Sequence, residues 1–370
     1  MTKHKKYAII KLDIDNKNLC ISIIDKFKRG SRFMQKKVTL PFEYAPYSLM
    51  YHENAFLLGI IQGNATEDIT PWLSGKYINC WFNPAVPNKF DYNALDTYST
   101  QDKILSLQRI DLYADQLPIL LGEDILDLFR SMLNMGFYPH GSYNEEYIPG
   151  KWSYQKKTYK HDFVLTGYDD IQKEFISAGY LADGKFQRFH IPYENMRQAI
   201  ATNTAPKLTY RFWKYNQEAS YELNMNRLIL QLKEYLGSIT TMKVYTKDKS
   251  WGMKAISDLA EHYATCGAQG NSLDIRYTRG LMEHKYFMEL RVCYLLKQGY
   301  CMDERLLEVA KNVYELSQKA HMLGLKYNMT GRESIVRSIC DIIRTMQETE
   351  TGYLPLILKE LEAQYGGDLM

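Results

Sequence analysis

The sequence predicts an α+β domain over residues 1–215 followed by an all-helical domain over 216–370. Strand-like runs recur through the first part and end at Leu208-Thr209-Tyr210-Arg211-Phe212-Trp213, which alternates as a half-buried strand does. Beyond about residue 215, apolar residues recur at helical spacing through Tyr365. The 370 residues, 45% hydrophobic and 24% charged, are enough to build one large or two medium cores.

Taken in order, Tyr7 to Leu12 and Leu19 to Ile24 read as strands joined by an Asp15-Asn16 turn, and Val38-Thr39-Leu40 continues the β character. Pro46 precedes a run from Ser48 to Ile61 whose apolar spacing predicts a helix with Ser48 near its N-cap. Tyr77 to Phe82 reads as a strand, Asp124 to Leu133 as a helix and Phe137 to Tyr143 as a strand. His161 to Tyr168 and Phe175 to Ile191 form a β-meander turned by Gly167-Tyr168-Asp169 and Asp183-Gly184. Pro192 opens a further helix, at a position where its missing N–H costs little. The C-terminal part holds four to six helices, with breaks expected near Ser238, Gly267, Gly299, Tyr327-Asn328 and Gly352.

Composition excludes several function classes. The net charge of +3 is too small to argue for nucleic acid. Residues 1–40 carry eleven Lys and Arg against three Asp, a net of +8 that leaves −5 elsewhere; such an arm reads first as a solvated face. Six cysteines at 20, 80, 266, 293, 301 and 340 show no CxxC spacing, so they read as reduced thiols of a cytoplasmic protein. The N-terminus lacks a signal-peptide core, and no run approaches the roughly eighteen apolar residues of a membrane helix. There is no HExxH, paired Cys/His spacing, P-loop or GxGxxG, so neither a metal nor a nucleotide is expected.

The richest stretch is His161-Asp162-Phe163-Val164-Leu165-Thr166-Gly167-Tyr168-Asp169. It follows the loop Tyr147-Ile148-Pro149 and precedes Asp183-Gly184-Lys185-Phe186. This order resembles the N-terminal domain of the butirosin biosynthesis protein H family, a papain-like cysteine-peptidase fold found beside carrier-protein assembly lines. The segment Leu281 to Arg291 resembles the helical half of homologues encoded near nonribosomal peptide synthetases. The resemblance implies acyl transfer: an acyl or peptidyl group moves from a phosphopantetheine thioester on a carrier protein to an amine, through a cysteine acyl-enzyme. That chemistry needs a thiolate at a helix N-terminus, a histidine as its base and an Asp or Asn to orient the histidine. Natural-product biosynthesis, a carrier-protein partner, a small-molecule or peptide substrate and no cofactor of the chain's own are the expectations that follow. Oligomeric state stays open, a homo-oligomer included.

The chain departs from that pattern. The family's cysteine should open the helix within Tyr47 to Asn54, where Ser48, Tyr51, His52 and Glu53 stand instead. The third triad position falls near Ser177 or Gly179, neither of them a carboxylate. Three readings follow. Ser48 replaces the nucleophile, although it also reads as a plain N-cap. Alternatively, His52 and His161 form an acid–base pair, or the site is dead and the fold only binds. Candidate catalytic residues are thus His161, Ser48 and His52. Candidate substrate contacts are Tyr51, Glu53, Tyr147, Trp152, Tyr154, Asp169 and Tyr180. Cys80, followed by Asn83-Pro84, reads as a strand cysteine in the core. Arg276, Arg279, Glu283, His284, Lys285 and Arg291 mark a charged helical face, read as packing between the two domains or as a phosphate contact.

Overall fold

The computed structural model describes residues 35–86, 89–92, 106–113, 124–203, 208–241 and 248–365. The strands expected at 7–12 and 19–24, Cys20 and most of the basic arm lie outside the described residues. The elements run β1 (Lys37–Thr39), α1 (His52–Asn64), α2 (Thr70–Ser74), β2 (Cys80–Phe82), β3 (Phe90–Tyr92), β4 (Leu107–Tyr113), α3 (Ile125–Asn134) and β5 (Phe137–Asn144). One 3-10 turn at Glu145–Tyr147 leads to β6 (Lys160–Asp169), β7 (Glu174–Tyr180), β8 (Phe186–Pro192), α4 (Tyr193–Ala201) and β9 (Thr209–Tyr215). Then follow α5 (Met225–Gly237), β10 (Ser250–Trp251), α6 (Gly252–Ala268), α7 (Ile275–Lys297), α8 (Arg305–Thr330) and α9 (Glu333–Tyr365).

Two compact units result. The first is Met1–Thr66 with Ile104–Ser220, the second Glu67–Lys103 with Tyr221–Met370. The later boundary lies five residues beyond the expected 215, but Glu67–Lys103 belongs with the helices rather than with the α+β unit. Its allegiance is fixed by side chains far along the chain, as described below for α7.

The first unit is built on an antiparallel sheet ordered β4-β9-β5-β6-β7-β8. β1 pairs with the far half of β6, where β5 has ended. A side chain at Gly167 would sit 2.3 Å from the Val38 carbonyl oxygen, so this pairing needs glycine there. Both faces of the sheet are covered. Phe129 of α3 packs edge-on against Tyr143 and Tyr210, while Phe56 of α1 meets His140 from the other side. Hence β6 is buried from Phe163 to Asp169, on both of its faces.

In the second unit α5 to α9 pack with α2 and a small sheet ordered β10-β2-β3. Cys80 lies in the core, its thiol donating to the Gly252 carbonyl at 3.4 Å. Gly252 itself has φ +54°, and a Cβ there would sit 2.1 Å from the Tyr235 carbonyl oxygen.

The charged residues of α7 are mostly buried, and they join parts of this one unit. Arg291 donates to the carbonyls of Ser74 at 2.7 Å and Lys76 at 2.6 Å. His284 Nε2 donates to the Ile78 carbonyl at 2.8 Å. Glu283 accepts from Tyr92 at 2.7 Å and pairs with Arg279 at 2.6 Å. Lys285 forms a fully buried ion pair with Glu350 at 2.6 Å, and Tyr235 donates to the same oxygen at 2.7 Å. The expected role was packing between the two domains; the bonds described here lie within the helical unit, where Arg291, His284 and Glu283 hold Ser74, Lys76, Ile78 and Tyr92 to α7 and Lys285 ties α7 to α9.

Two expected breaks moved. Gly352 interrupts nothing, and α9 continues through it and Pro355, because buried Tyr353, Leu354, Ile357 and Leu361 hold that stretch to the core. α8 ends at Gly331, with φ +65°, rather than at Tyr327-Asn328. Asn328 instead hydrogen-bonds both backbone groups of Leu273 at 2.8 Å. Among the described residues no helix is long and apolar enough to cross a membrane, and the five described cysteines are unpaired.

Candidate functional site

The site forms where α1 begins above the sheet. Residues 47–51 stay outside the helix, where the Tyr47 N–H donates to Gln62 Oε1 at 2.9 Å and the Tyr180 hydroxyl donates to the Leu49 carbonyl. The helix therefore starts at His52, with Tyr51 as an N-cap whose side chain makes no capping bond. Ser48 does not cap it: Ser48 precedes the helix by four positions and is fully buried. From Asn54 to Ile61 every residue of α1 is buried. A Cβ at Gly59 would strike the Phe42 ring at 2.3 Å, which fixes how closely the preceding segment lies on the helix.

His52, the first helical residue, meets His161, the second residue of β6, edge-on with ring centroids 4.2 Å apart. The Tyr180 ring lies 5.1 Å and the Phe56 ring 5.8 Å from His52. Burial, reinforced by the charges of His161 and Lys151, pulls the His52 imidazole down to about 3, so at neutral pH it is uncharged.

His161 is oriented by a carboxylate from the neighbouring strand end. Glu145 Oε1 lies 3.2 Å from His161 Nδ1 and 2.8 Å from Lys151 Nζ. Lys151 also donates to the Tyr180 carbonyl at 2.7 Å, and its ammonium sits over the Phe163 and Phe189 rings. The Glu145 and Lys151 side chains are each 1% exposed. Burial by itself would raise the Glu145 carboxyl, but the hydrogen bond from His161 and the Lys151 charge outweigh it and hold it below its usual range. Burial lowers Lys151, with Glu145 opposing. An ionised Glu145 only accepts, so His161 carries its proton on Nδ1 and leaves Nε2 as a base.

A second imidazole–carboxylate couple lies on the α1 face of the sheet. Asp111, Arg211 and His140 are successive cross-strand partners, and Arg211 pairs with Glu53 of α1 at 2.8 Å. His140 is buried and accepts from Trp213 Nε1 at 3.3 Å through Nδ1, which leaves its proton on Nε2, 3.7 Å from Asp162. Burial would raise Asp162; the imidazole of His140 at 3.7 Å, with the more distant His52 and His161, prevails and holds it at about 2. As strand alternation requires, Asp162 turns away from Glu145, which its neighbour His161 contacts.

The other expected contacts scatter. Tyr180 is in the site. Trp152, 43% exposed, packs edge-on against Tyr159, whose ring is 5.4 Å from His161, so the two form an aromatic lip beside it. Tyr51 flanks His52 as the N-cap, and Glu53 is engaged by Arg211. The Tyr147 carbonyl accepts from Asn195 at 2.9 Å, and the Tyr154 hydroxyl accepts from Gln155 at 3.3 Å. Asp169 is not brought to His161. It closes the far turn of β6 through the Ile171 and Gln172 N–H groups and Lys37, eight residues away or roughly 26 Å along a strand. The orienting carboxylate does not come from the Ser177–Gly179 stretch either, since Glu145, on the opposite side of β6, supplies it. Cys80 belongs to the second unit.

Sequence reasoning missed Glu145, Lys151 and His140. Asn144 offered a signal, since its side chain accepts from the Glu146 and Tyr159 N–H groups and so draws the turn carrying Glu145 against the start of β6. No protein-family profile matches this sequence, and no curated protein is similar to it.

Among the described residues no group of three or more His, Cys, Asp or Glu is arranged to hold a metal ion. The chemistry on offer is acid–base: a base nitrogen at His161, a neutral imidazole at His52 and the first-turn N–H groups of α1, which point out of the helix toward negative charge.

Proposed function

We propose that the first unit is a papain-like fold that acts on an acyl or peptidyl thioester carried by a partner carrier protein in natural-product assembly. Its chemistry would be acyl transfer to an amine, or release to water, without a covalent acyl-enzyme. The observation that carries this reading is His161, oriented by the buried Glu145–Lys151 pair and set against His52 at the start of α1.

In this mechanism the amine nitrogen attacks the thioester carbon while His161 Nε2 takes its proton. The carbonyl oxygen becomes an oxyanion facing the α1 N-terminus, where helix N–H groups stabilise it. The C–S bond then breaks, and the imidazolium returns the proton to the departing thiolate. Glu145 keeps the Nδ1 proton in place and stabilises the imidazolium. His52 stands where the resemblance would put a thiol, and as a neutral ring it donates or accepts a hydrogen bond without competing for the proton.

A second reading, a binding module without turnover, is favoured by one observation: His52 is enclosed by His161, Tyr180 and Phe56 and kept uncharged. Intact-mass and product analysis with a panel of acyl-loaded carrier proteins separates the two. Turnover abolished in His161→Ala, with no mass adduct on the native chain, is the expected result. A covalent adduct lost in Ser48→Ala would overturn the non-covalent mechanism. Tight carrier binding without turnover would establish the binding module.

A further inference from the structure

Glu145 gives one oxygen to two donors. Its Oε1 lies 2.8 Å from Lys151 Nζ and 3.2 Å from His161 Nδ1. The ammonium is held there from two further directions: it donates to the Tyr180 carbonyl at 2.7 Å, and the Phe163 and Phe189 rings lie 5.5 Å and 5.0 Å from it. A Cβ at Gly179 would stand 3.5 Å from Nζ, so a side chain at that position would begin in contact with the ammonium. Tyr180 in turn flanks His52, with the two rings 5.1 Å apart. One fixed cation thus bonds both to the carboxylate that orients His161 and to the residue beside His52. Among the described residues Lys151 is the only lysine or arginine in an ion pair with Glu145.

From this we infer that Lys151 is a positioning residue that tempers the base: by occupying the oxygen that His161 uses, it keeps Glu145 an acceptor for the Nδ1 proton while weakening the carboxylate's hold on an imidazolium. An unshared carboxylate 3.2 Å from the ring would form a full ion pair with the imidazolium and retain the proton. A shared one lets Nε2 take a proton and give it up again, as a base must that returns its proton to a leaving group. The other titratable groups facing His161 are His52 from α1 and Tyr159 from just before β6. Asp162, the next residue on β6, is engaged by His140 on the opposite face.

The inference rests on the acid–base reading, but its test needs no substrate, so the two can fail separately. The full chain is labelled with 15N-histidine, and the His161 ring nitrogens, assigned through His161→Gln, are followed by NMR against pH. Lys151→Met keeps the apolar contacts and removes the charge. It is expected to move the His161 titration to higher pH by about one unit, a tenfold gain in proton affinity. Glu145→Gln should move it to lower pH. A lysine that only supports the fold would not give two shifts of opposite sign. A rise below about 0.3 unit, or a fall, in Lys151→Met with a native circular dichroism spectrum overturns the inference. Should Lys151→Met fail to fold, a titration in Glu145→Gln within about 0.3 unit of the native one overturns it instead. Turnover that survives His161→Ala would defeat the acid–base reading and leave the titration result standing.

Discussion

Replacing Glu145 with Gln removes the charge that Lys151 and His161 share. Lys151 then keeps the Tyr180 carbonyl but loses its counter-ion in a place where its side chain is 1% exposed. Breaking a buried pair from one side costs about 3–5 kcal/mol, because the remaining charge stays desolvated. Lys151 is already depressed by burial and can shed its proton, which puts the expected cost near the lower end. For a unit of this size about 2–4 °C accompanies each kcal/mol, so Glu145→Gln should melt roughly 6–12 °C lower in calorimetry. The double variant Glu145→Gln with Lys151→Met removes both charges and should recover most of that loss, as apolar replacements of buried pairs do. It should not recover turnover, since His161 still lacks its orienting carboxylate. A single variant costing less than about 1 kcal/mol, or a double variant no more stable than the single, refutes the claim that the pair is buried and coupled.

Acid lability should trace to Asp162. Its folded carboxyl titrates at about 2, below the unfolded value, so its stabilising contribution is complete above about pH 4 and fades as pH falls toward 2. Urea melts should show stability declining across that window, with a shallower decline in Asp162→Asn. In the second unit, Arg291→Met leaves the Ser74 and Lys76 carbonyls without their donor. At about 1–3 kcal/mol per orphaned group, limited proteolysis should cut near residues 74–78 faster than in the native chain.

The order of elements was legible wherever local pattern decides it. The apolar run after His161 and the alternation of Thr209 to Trp213 announce strands, and each is one. The meeting of His52 and His161 was not fixed by local pattern: it was one of three readings that came from the resemblance, and the helix expected to start near Ser48 starts at His52. Glu145 and Lys151 were not legible, because charged residues in a loop predict exposure. Their burial depends on each neutralising the other, a long-range fact with no period in the sequence. Gly352 and Pro355 misled for a related reason: local propensity opposes a helix there, and four buried side chains of α9 override it. The allegiance of residues 67–103 was hidden for the same reason, since it is written in Arg291 and His284, some two hundred positions away.

That allegiance bears on how the polypeptide can be made and cut. The chain enters the helical half at Glu67, returns to the other at Ile104 and leaves it again after Ser220. As it emerges during synthesis, Tyr77, Cys80, Phe90 and Tyr92 must wait for the helices that cover them until well over a hundred further residues have been added. An excised C-terminal fragment starting near 216 would lack those side chains and two of the three strands in its small sheet. Separating the halves cleanly would take three cuts, near 66, 103 and 220, with the middle piece supplied back to the helices.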